Sequence, residues 1–196
     1  MGALGLIQKQ PDPLFITLIP FIILISIAVM LTTFRNWDMR FIYYLVFLLF
    51  AGYAVEYYGV STKKLFGDYS YGDALGWKVG GVPLIMSFMW FMLIISAGFT
   101  IRTFKSNAII RSLIGAGALM LLDMIIEPFA VHFGLWEWKT ENGLPPNQNF
   151  YAWFLLSFGF LLLFNLIRVK LRSDMGILVF LLNIAFFLFF VLFSRY

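Results

Sequence analysis

A chain of 196 residues that is 62% hydrophobic and only 12% charged lacks the polar residues needed to cover a soluble domain, so an integral membrane protein is expected. Its net charge of +4 is scattered among short loops and forms no basic stripe that would hold nucleic acid. It has no cysteine, which excludes disulfides and thiolate chemistry, and its one histidine, His132, argues against a histidine-built metal site.

At this length a single transmembrane domain over residues 1–196 is expected. The expected fold is all-α, a polytopic bundle of six transmembrane helices with two long aromatic loops on one face. A crossing needs about 20 mostly apolar residues. Six stretches qualify: 14–33, 41–58, 82–101, 108–130, 150–168 and 175–193. The first run begins at Leu14 and is too long for the apolar region of a cleavable signal peptide, so it reads as a span, kinked at Pro20.

The basic stretch FRNWDMR leads to span 2, which ends in AGYAVEYYGVS with Glu56. Glu56 is either an interfacial acid in water or part of a site. The loop LFGDYSYGDALGWKVGGVP follows, with Asp68, Tyr69, Tyr71, Asp73, Trp77 and Lys78 among five glycines. A belt of aromatics at the headgroups explains single Tyr and Trp residues. It explains a long loop in a small protein less well, and a lid over a membrane cavity is the alternative. Span 3 carries Trp90 and passes through IRTFKSN into span 4. The second long loop holds GLWEW, with Trp136 and Trp138. Asn149 and Trp153 follow at the start of span 5, and RVKLRSD leads to span 6.

Basic residues in short loops set topology. The short-loop side holds Arg35, Arg40, Arg102, Lys105, Arg111, Arg168, Lys170 and Arg172; the other side holds Lys9, Lys63, Lys64, Lys78, Lys139 and Arg195. The short loops are therefore expected in the cytoplasm, with both termini outside, in a cell inner membrane. The acids are more lopsided. Asp12, Glu56, Asp68, Asp73, Glu127, Glu137 and Glu141 lie on or near the long-loop side, and only Asp38 and Asp174 on the other. A faint echo links the two long-loop hairpins: Gly81-Val82-Pro83 precedes Trp90, and Gly143-Leu144-Pro145 precedes Trp153.

Span 4 ends in LLDMIIEPF. Asp123 and Glu127 stand four residues apart and share one helix face. Pro128 cannot donate its N–H, so the helix is expected to kink or end there and to free the Met124 carbonyl toward a cavity. A carboxylate deep in a membrane costs about 2.5–3.5 kcal/mol on insertion scales, which favours a functional reading over a chance one. Two acids in one dry site suit one protonated member beside one ionised member, an arrangement for general acid–base work. The alternative is an acid paired with a polar group of a neighbouring helix. Trp136, Trp138 and Trp153 offer faces able to stabilise a cation, each by roughly 0.5–2 kcal/mol, although belt residues look the same. A lone D-x-x-x-E is weak evidence for a magnesium site, and no metal is expected.

Three blocks make the chain recognisable. They are EYYG with ST, FGDYSY and LGWK running into GVP; D-x-x-x-E-P at 123–128; and GLWEW followed by P-x-x-N-F-x-x-W from Pro146 to Trp153. In this order the chain resembles the carotenoid biosynthesis protein family that contains the CruF-type carotenoid 1,2-hydratases, with heterodimeric-type lycopene cyclases as more distant relatives. The blocks span residues 56 to 153. The family pattern usually reads TG before its FG block, where this chain has Thr62-Lys63-Lys64, and often has aspartate where Glu127 stands. The second loop here has an extra residue around Pro145-Pro146.

The resemblance implies a small polytopic enzyme that hydrates the terminal (ψ-end) C=C of an acyclic or monocyclic carotenoid such as lycopene or γ-carotene. That reaction needs an acid, a wall that tolerates a cation, and one admitted water. Asp123 is expected as proton donor, with Glu127 and Glu56 holding or deprotonating the water. Trp90, Trp136, Trp138, Asn149, Trp153, Tyr69, Tyr71 and Asp73 are expected to bind substrate. No cofactor is expected; the partners are a carotenoid within the bilayer, lipids, and other enzymes of the pathway. Two alternatives stand beside this reading. A carotenoid end-group cyclase would let an internal double bond capture the same cation, and a non-enzymatic carotenoid or lipid carrier or scaffold would bind pigment unchanged.

Overall fold

The computed structural model describes residues 13–34, 37–167 and 173–193. Of the charges used to orient the chain, Lys9, Asp12, Arg35, Arg168, Lys170, Arg172 and Arg195 lie outside the described residues. The architecture is all-α. Six helices run as α1 (Pro13–Thr32), α2 (Met39–Thr62), α3 (Ile85–Ile101), α4 (Ala108–His132), α5 (Asn147–Leu166) and α6 (Asp174–Phe193). Among the described residues, α2, α4, α5 and α6 are long and apolar enough to cross a membrane; α1, apolar over Ile16–Thr32, and α3 are shorter.

The third helix begins three residues later than the apolar run predicts. Gly80 and Gly81 both take positive φ (53° and 82°), the conformation of a two-residue hairpin turn between right-twisted strands. They fold β2 (Lys78–Val79) onto β3 (Val82–Pro83), with Val79 opposite Val82. Val82 and Pro83 are thus extended rather than helical. The remaining 17 residues rise about 26 Å, short of the roughly 30 Å hydrocarbon core. The shortfall is tolerable because α3 is the central helix. All its residues except Phe88 and Thr100 are buried, and it packs on every other helix, most extensively on α2 and α6. Its ends therefore meet protein rather than lipid.

Helix α4 does not end at Pro128 but continues one further turn to His132. Proline removes a single N–H from the ladder, a cost of about 3 kcal/mol or more. Against this, the last turn buries Phe129 and Ala130, and Phe129 packs on Phe187 and Phe190 of α6. The turn is then closed firmly. Gly134 takes φ 63°, its N–H donates to the Val131 carbonyl, and the Leu135 N–H donates to the Ala130 carbonyl, a Schellman cap.

At the other end, Asn107 caps α4 by accepting from the Ile110 N–H at 2.9 Å. Helix α2 is opened by Asp38, which accepts from the Arg40 N–H at 2.8 Å. It is closed by Lys63 in the left-handed region (φ 59°), a conformation that strains any residue with a Cβ and suits glycine best. The Lys63 ammonium also meets Asp68 at 2.7 Å.

The two long loops fold together at one end of the bundle. β1 (Tyr69–Tyr71) pairs antiparallel with β4 (Trp136–Trp138), placing Tyr69 opposite Trp138 and Tyr71 opposite Trp136. Alternation along each strand turns these four rings toward the bundle. Ser70 and Glu137 face outward, and the Ser70 hydroxyl donates to Glu137 at 3.1 Å. Glu137 also meets Lys139. The inward rings interlock, with the Tyr69 and Trp138 centroids 5.2 Å apart. This two-stranded ribbon covers the helix ends as a lid.

Candidate active site

Under the ribbon, three carboxylates from two helices are buried: Glu56 of α2, with Asp123 and Glu127 of α4. Each lies about 5–9 residues from its helix end, at roughly 8–14 Å depth by helical rise. Asp123 and Glu127 do share one face, and Pro128 does not turn Glu127 aside. The Asn149 side-chain amide of α5 donates to Asp123 Oδ2 at 2.7 Å and reaches Glu127 Oε1 at 3.5 Å. Asn149 can do this because α5 starts at Asn147, so its third residue sits at the same depth as the acids.

The supply of hydrogen bonds differs sharply between the acids. Glu127 Oε2 accepts from two indoles, Trp136 Nε1 at 3.1 Å and Trp138 Nε1 at 2.8 Å. Glu56 Oε2 accepts from the Tyr69 and Tyr71 hydroxyls at 2.7 and 2.6 Å, and its Oε1 from Trp90 Nε1 at 2.7 Å. Indole N–H groups can only donate, so the oxygens that face them carry no proton toward them. Burial, and then the adjacent Glu56 carboxylate, hold the Tyr69 and Tyr71 phenols well above their ordinary pKa, so both remain donors. Asp123 receives only the Asn149 amide on Oδ2, which leaves Oδ1 able to carry a proton.

The Trp90 and Trp153 rings stack face to face, centroids 4.2 Å apart and tilted by 17°. The two tryptophans that echo each other in sequence therefore meet across the bundle. The three carboxylates, Tyr69, Tyr71, Trp136, Trp138, Asn149 and Trp153 line a cavity of about 20 Å³, room for about one water molecule. Phe66, Met86 and Met89 complete its wall. Among the described residues, no group of three or more His, Cys, Asp or Glu side chains is placed to hold a metal ion.

Two expected substrate contacts do not line this chamber: Trp90 is fully buried behind it, holding Glu56 and stacked on Trp153, and Asp73 lies outside it. Asp73 is fully exposed, at the start of a short 3-10 turn (Asp73–Leu75), and meets Lys78 Nζ at 2.8 Å. Lys78 Nζ also donates to the Tyr71 carbonyl at 2.8 Å. Asp73 thus braces, through Lys78, the loop that carries Tyr71. Trp77 is exposed as well, as an interfacial aromatic would be.

The chain that forms this chamber resembles known proteins. The pattern described as carotenoid biosynthesis protein matches residues 18–195 of this chain. The chain belongs to that family. Within it, the chain is 29% identical over 181 residues to bisanhydrobacterioruberin hydratase of Haloarcula japonica, an alignment covering 84% of this chain and 61% of the relative. The chain thus spans less than two thirds of that relative's length. No solved structure matches it significantly. Membership in the carotenoid biosynthesis family fits a protein with four described helices long and apolar enough for a bilayer.

Proposed function

We propose that this protein is a carotenoid 1,2-hydratase, adding water across the terminal C=C at the ψ end of an acyclic or monocyclic carotenoid such as lycopene or γ-carotene. The observation that carries this reading is the chamber: three buried carboxylates with unequal hydrogen-bond supply around a space for about one water. The named activity of the relative, a hydratase acting on bisanhydrobacterioruberin, supports it.

In this reading Asp123 carries a proton on Oδ1 and gives it to the secondary carbon of the terminal double bond. The π pair becomes the new C–H bond, and the neighbouring carbon becomes a tertiary cation. Trp136, Trp138 and Trp153 line the same chamber, and an aromatic face turned to the cation would stabilise it by roughly 0.5–2 kcal/mol. The water in the chamber attacks the cation, a C–O bond forms, and the water proton passes to Glu127. Glu56, held by three donors, keeps the water oriented. Transfer of a proton from Glu127 back to Asp123, its neighbour on the Asn149 amide, restores the starting state. The cycle closes on substrate, water and these side chains.

The test is expression in a host that makes lycopene, with pigments resolved by chromatography and mass. Hydration adds the mass of water for each end treated, whereas cyclisation leaves the mass unchanged. Asp123→Asn, which keeps the shape and the Asn149 contact, should abolish product while the protein accumulates normally in the membrane. Normal turnover by that variant would sink the assignment.

A further inference from the structure

Beside the acid chamber lies a second, far larger cavity of about 360 Å³, walled by α1, α3, α4 and α6 and almost entirely apolar. It shares three residues with the chamber: Met86, Met89 and Trp136 line both. These three therefore form the partition between the two spaces. Trp136 does so while its Nε1 holds Glu127. The two methionines are flexible and unbranched, side chains that can repack around a guest. At its outer rim the cavity is edged by Ile22 of α1 and Leu182 of α6, which are 51% and 57% exposed on faces where the bundle meets lipid. The cavity is thus a groove opening sideways between α1 and α6, with its inner end one side chain away from the carboxylates.

We infer that this groove seats the terminal segment of an isoprenoid polyene. The polyene enters laterally from the bilayer between α1 and α6 and presents its last double bond to the acids past Met86, Met89 and Trp136. The chemistry of the walls selects an apolar guest; among the described residues Ser26 and Asn183 are the only polar side chains on them apart from Trp136, whose indole N–H is taken by Glu127. The volume lies within the range of small-molecule sites, roughly 300–1,000 Å³. The shared partition selects a guest whose end has business with carboxylates, which a lipid acyl chain, ending in an unreactive methyl group, does not have. The placement rests on the hydration reading only for what happens at the inner end, so occupancy can be tested apart from turnover.

The protein has no cysteine, so one introduced thiol marks one place. Ser26→Cys, inside the groove, and Ile25→Cys, 62% exposed on the outer face of the same helix, would each be labelled with a nitroxide in detergent and returned to vesicles. Adding lycopene should immobilise the label at position 26 and leave the label at position 25 unchanged. In parallel, Ser26→Phe should weaken lycopene binding at least tenfold, whereas Ile25→Phe and Asp123→Asn should bind as the unaltered chain does. Label spectra at position 26 that are the same with and without lycopene would overturn the inference, including the case in which lipid already fills the groove. If lycopene is held at position 26 but no variant ever yields hydrated product, the groove stands and the hydratase reading falls.

Discussion

At the scale of single residues, the chamber works by unequal hydrogen bonding. Glu127 is the one acid held by two indoles and an amide, and its two Trp N–H groups come from alternate positions of a single strand. A hydrogen bond to a charged group contributes about 1.5–3 kcal/mol. Trp138→Phe keeps the ring and loses the shorter of the two bonds, so the initial hydration rate in isolated membranes should fall about 10- to 100-fold. Trp136→Phe combined with Trp138→Phe should lose more than either alone, but less than the product of the two, because both serve one oxygen. Unchanged rates in the double variant would remove Glu127 from the reaction.

Asp123 and Glu127 were legible from sequence because a charge inside an apolar run is costly, and Glu56, Asn149 and the tryptophans because polar and amphipathic groups gather where polar chemistry is needed. Met86, Met89 and Phe66 were not. Among nine methionines and 24 phenylalanines nothing marks these three. The one available signal was that Met86 precedes Trp90 by one helical turn and Met89 follows Met86 at the i+3 position. Asp73 was misplaced because an acid among aromatic residues looks the same whether it faces in or out.

At the scale of elements, the ribbon of β1 and β4 depends on a close backbone approach. The Gly72 N–H donates to the Leu135 carbonyl at 2.9 Å. A Cβ at position 72 would lie 1.9 Å from the Gly134 carbonyl oxygen, which belongs to the closed end of α4 and cannot swing away. Gly72→Ala should therefore lift the ribbon from the helix end, lowering the melting temperature and the rate together. An overpacked site of this kind costs about 1–3 kcal/mol or more. Gly117→Ala, in the middle of α4 with nothing within 4 Å of the added Cβ, should be neutral or stabilising by up to about 1 kcal/mol. Equal melting temperatures for the two variants would show that the ribbon is not pinned at Gly72. The six helices were legible because a membrane span is a local property of about 20 residues. The ribbon was not, since its strands are three residues long and pair over 67 positions of sequence, as in Ser70 with Glu137. Pro128 misled for a related reason: its local cost is outweighed by the burial of Phe129 and Ala130, with Phe129 packing against a helix about 60 residues away.

At the scale of the whole molecule, a buried central helix, a lid of two loops and a sideways groove suit, on the reading proposed above, an enzyme that treats one chain end at a time. The groove, at about 360 Å³, is a little over twice the 150 Å³ cavity that holds one benzene ring. It takes roughly 14 carbons at that packing, a fraction of a full-length polyene. The remainder of the guest must lie outside, in lipid. The inner end is closed by the ribbon and by the stacked Trp90 and Trp153, so the chain cannot thread through to bring its far end to the acids. A substrate with two identical ψ ends must then leave, turn and enter again before its second end reacts. In a time course with lycopene and the protein in vesicles, singly hydrated product should appear first, rise well above the protein concentration, and be free in the lipid before doubly hydrated product forms. A wider groove, made by Leu182→Ala, should quicken exchange of the guest without changing that order. Doubly hydrated product appearing while the singly hydrated form stays below the protein concentration would mean that both ends are served in one visit, which a groove of this length with a closed inner end cannot do.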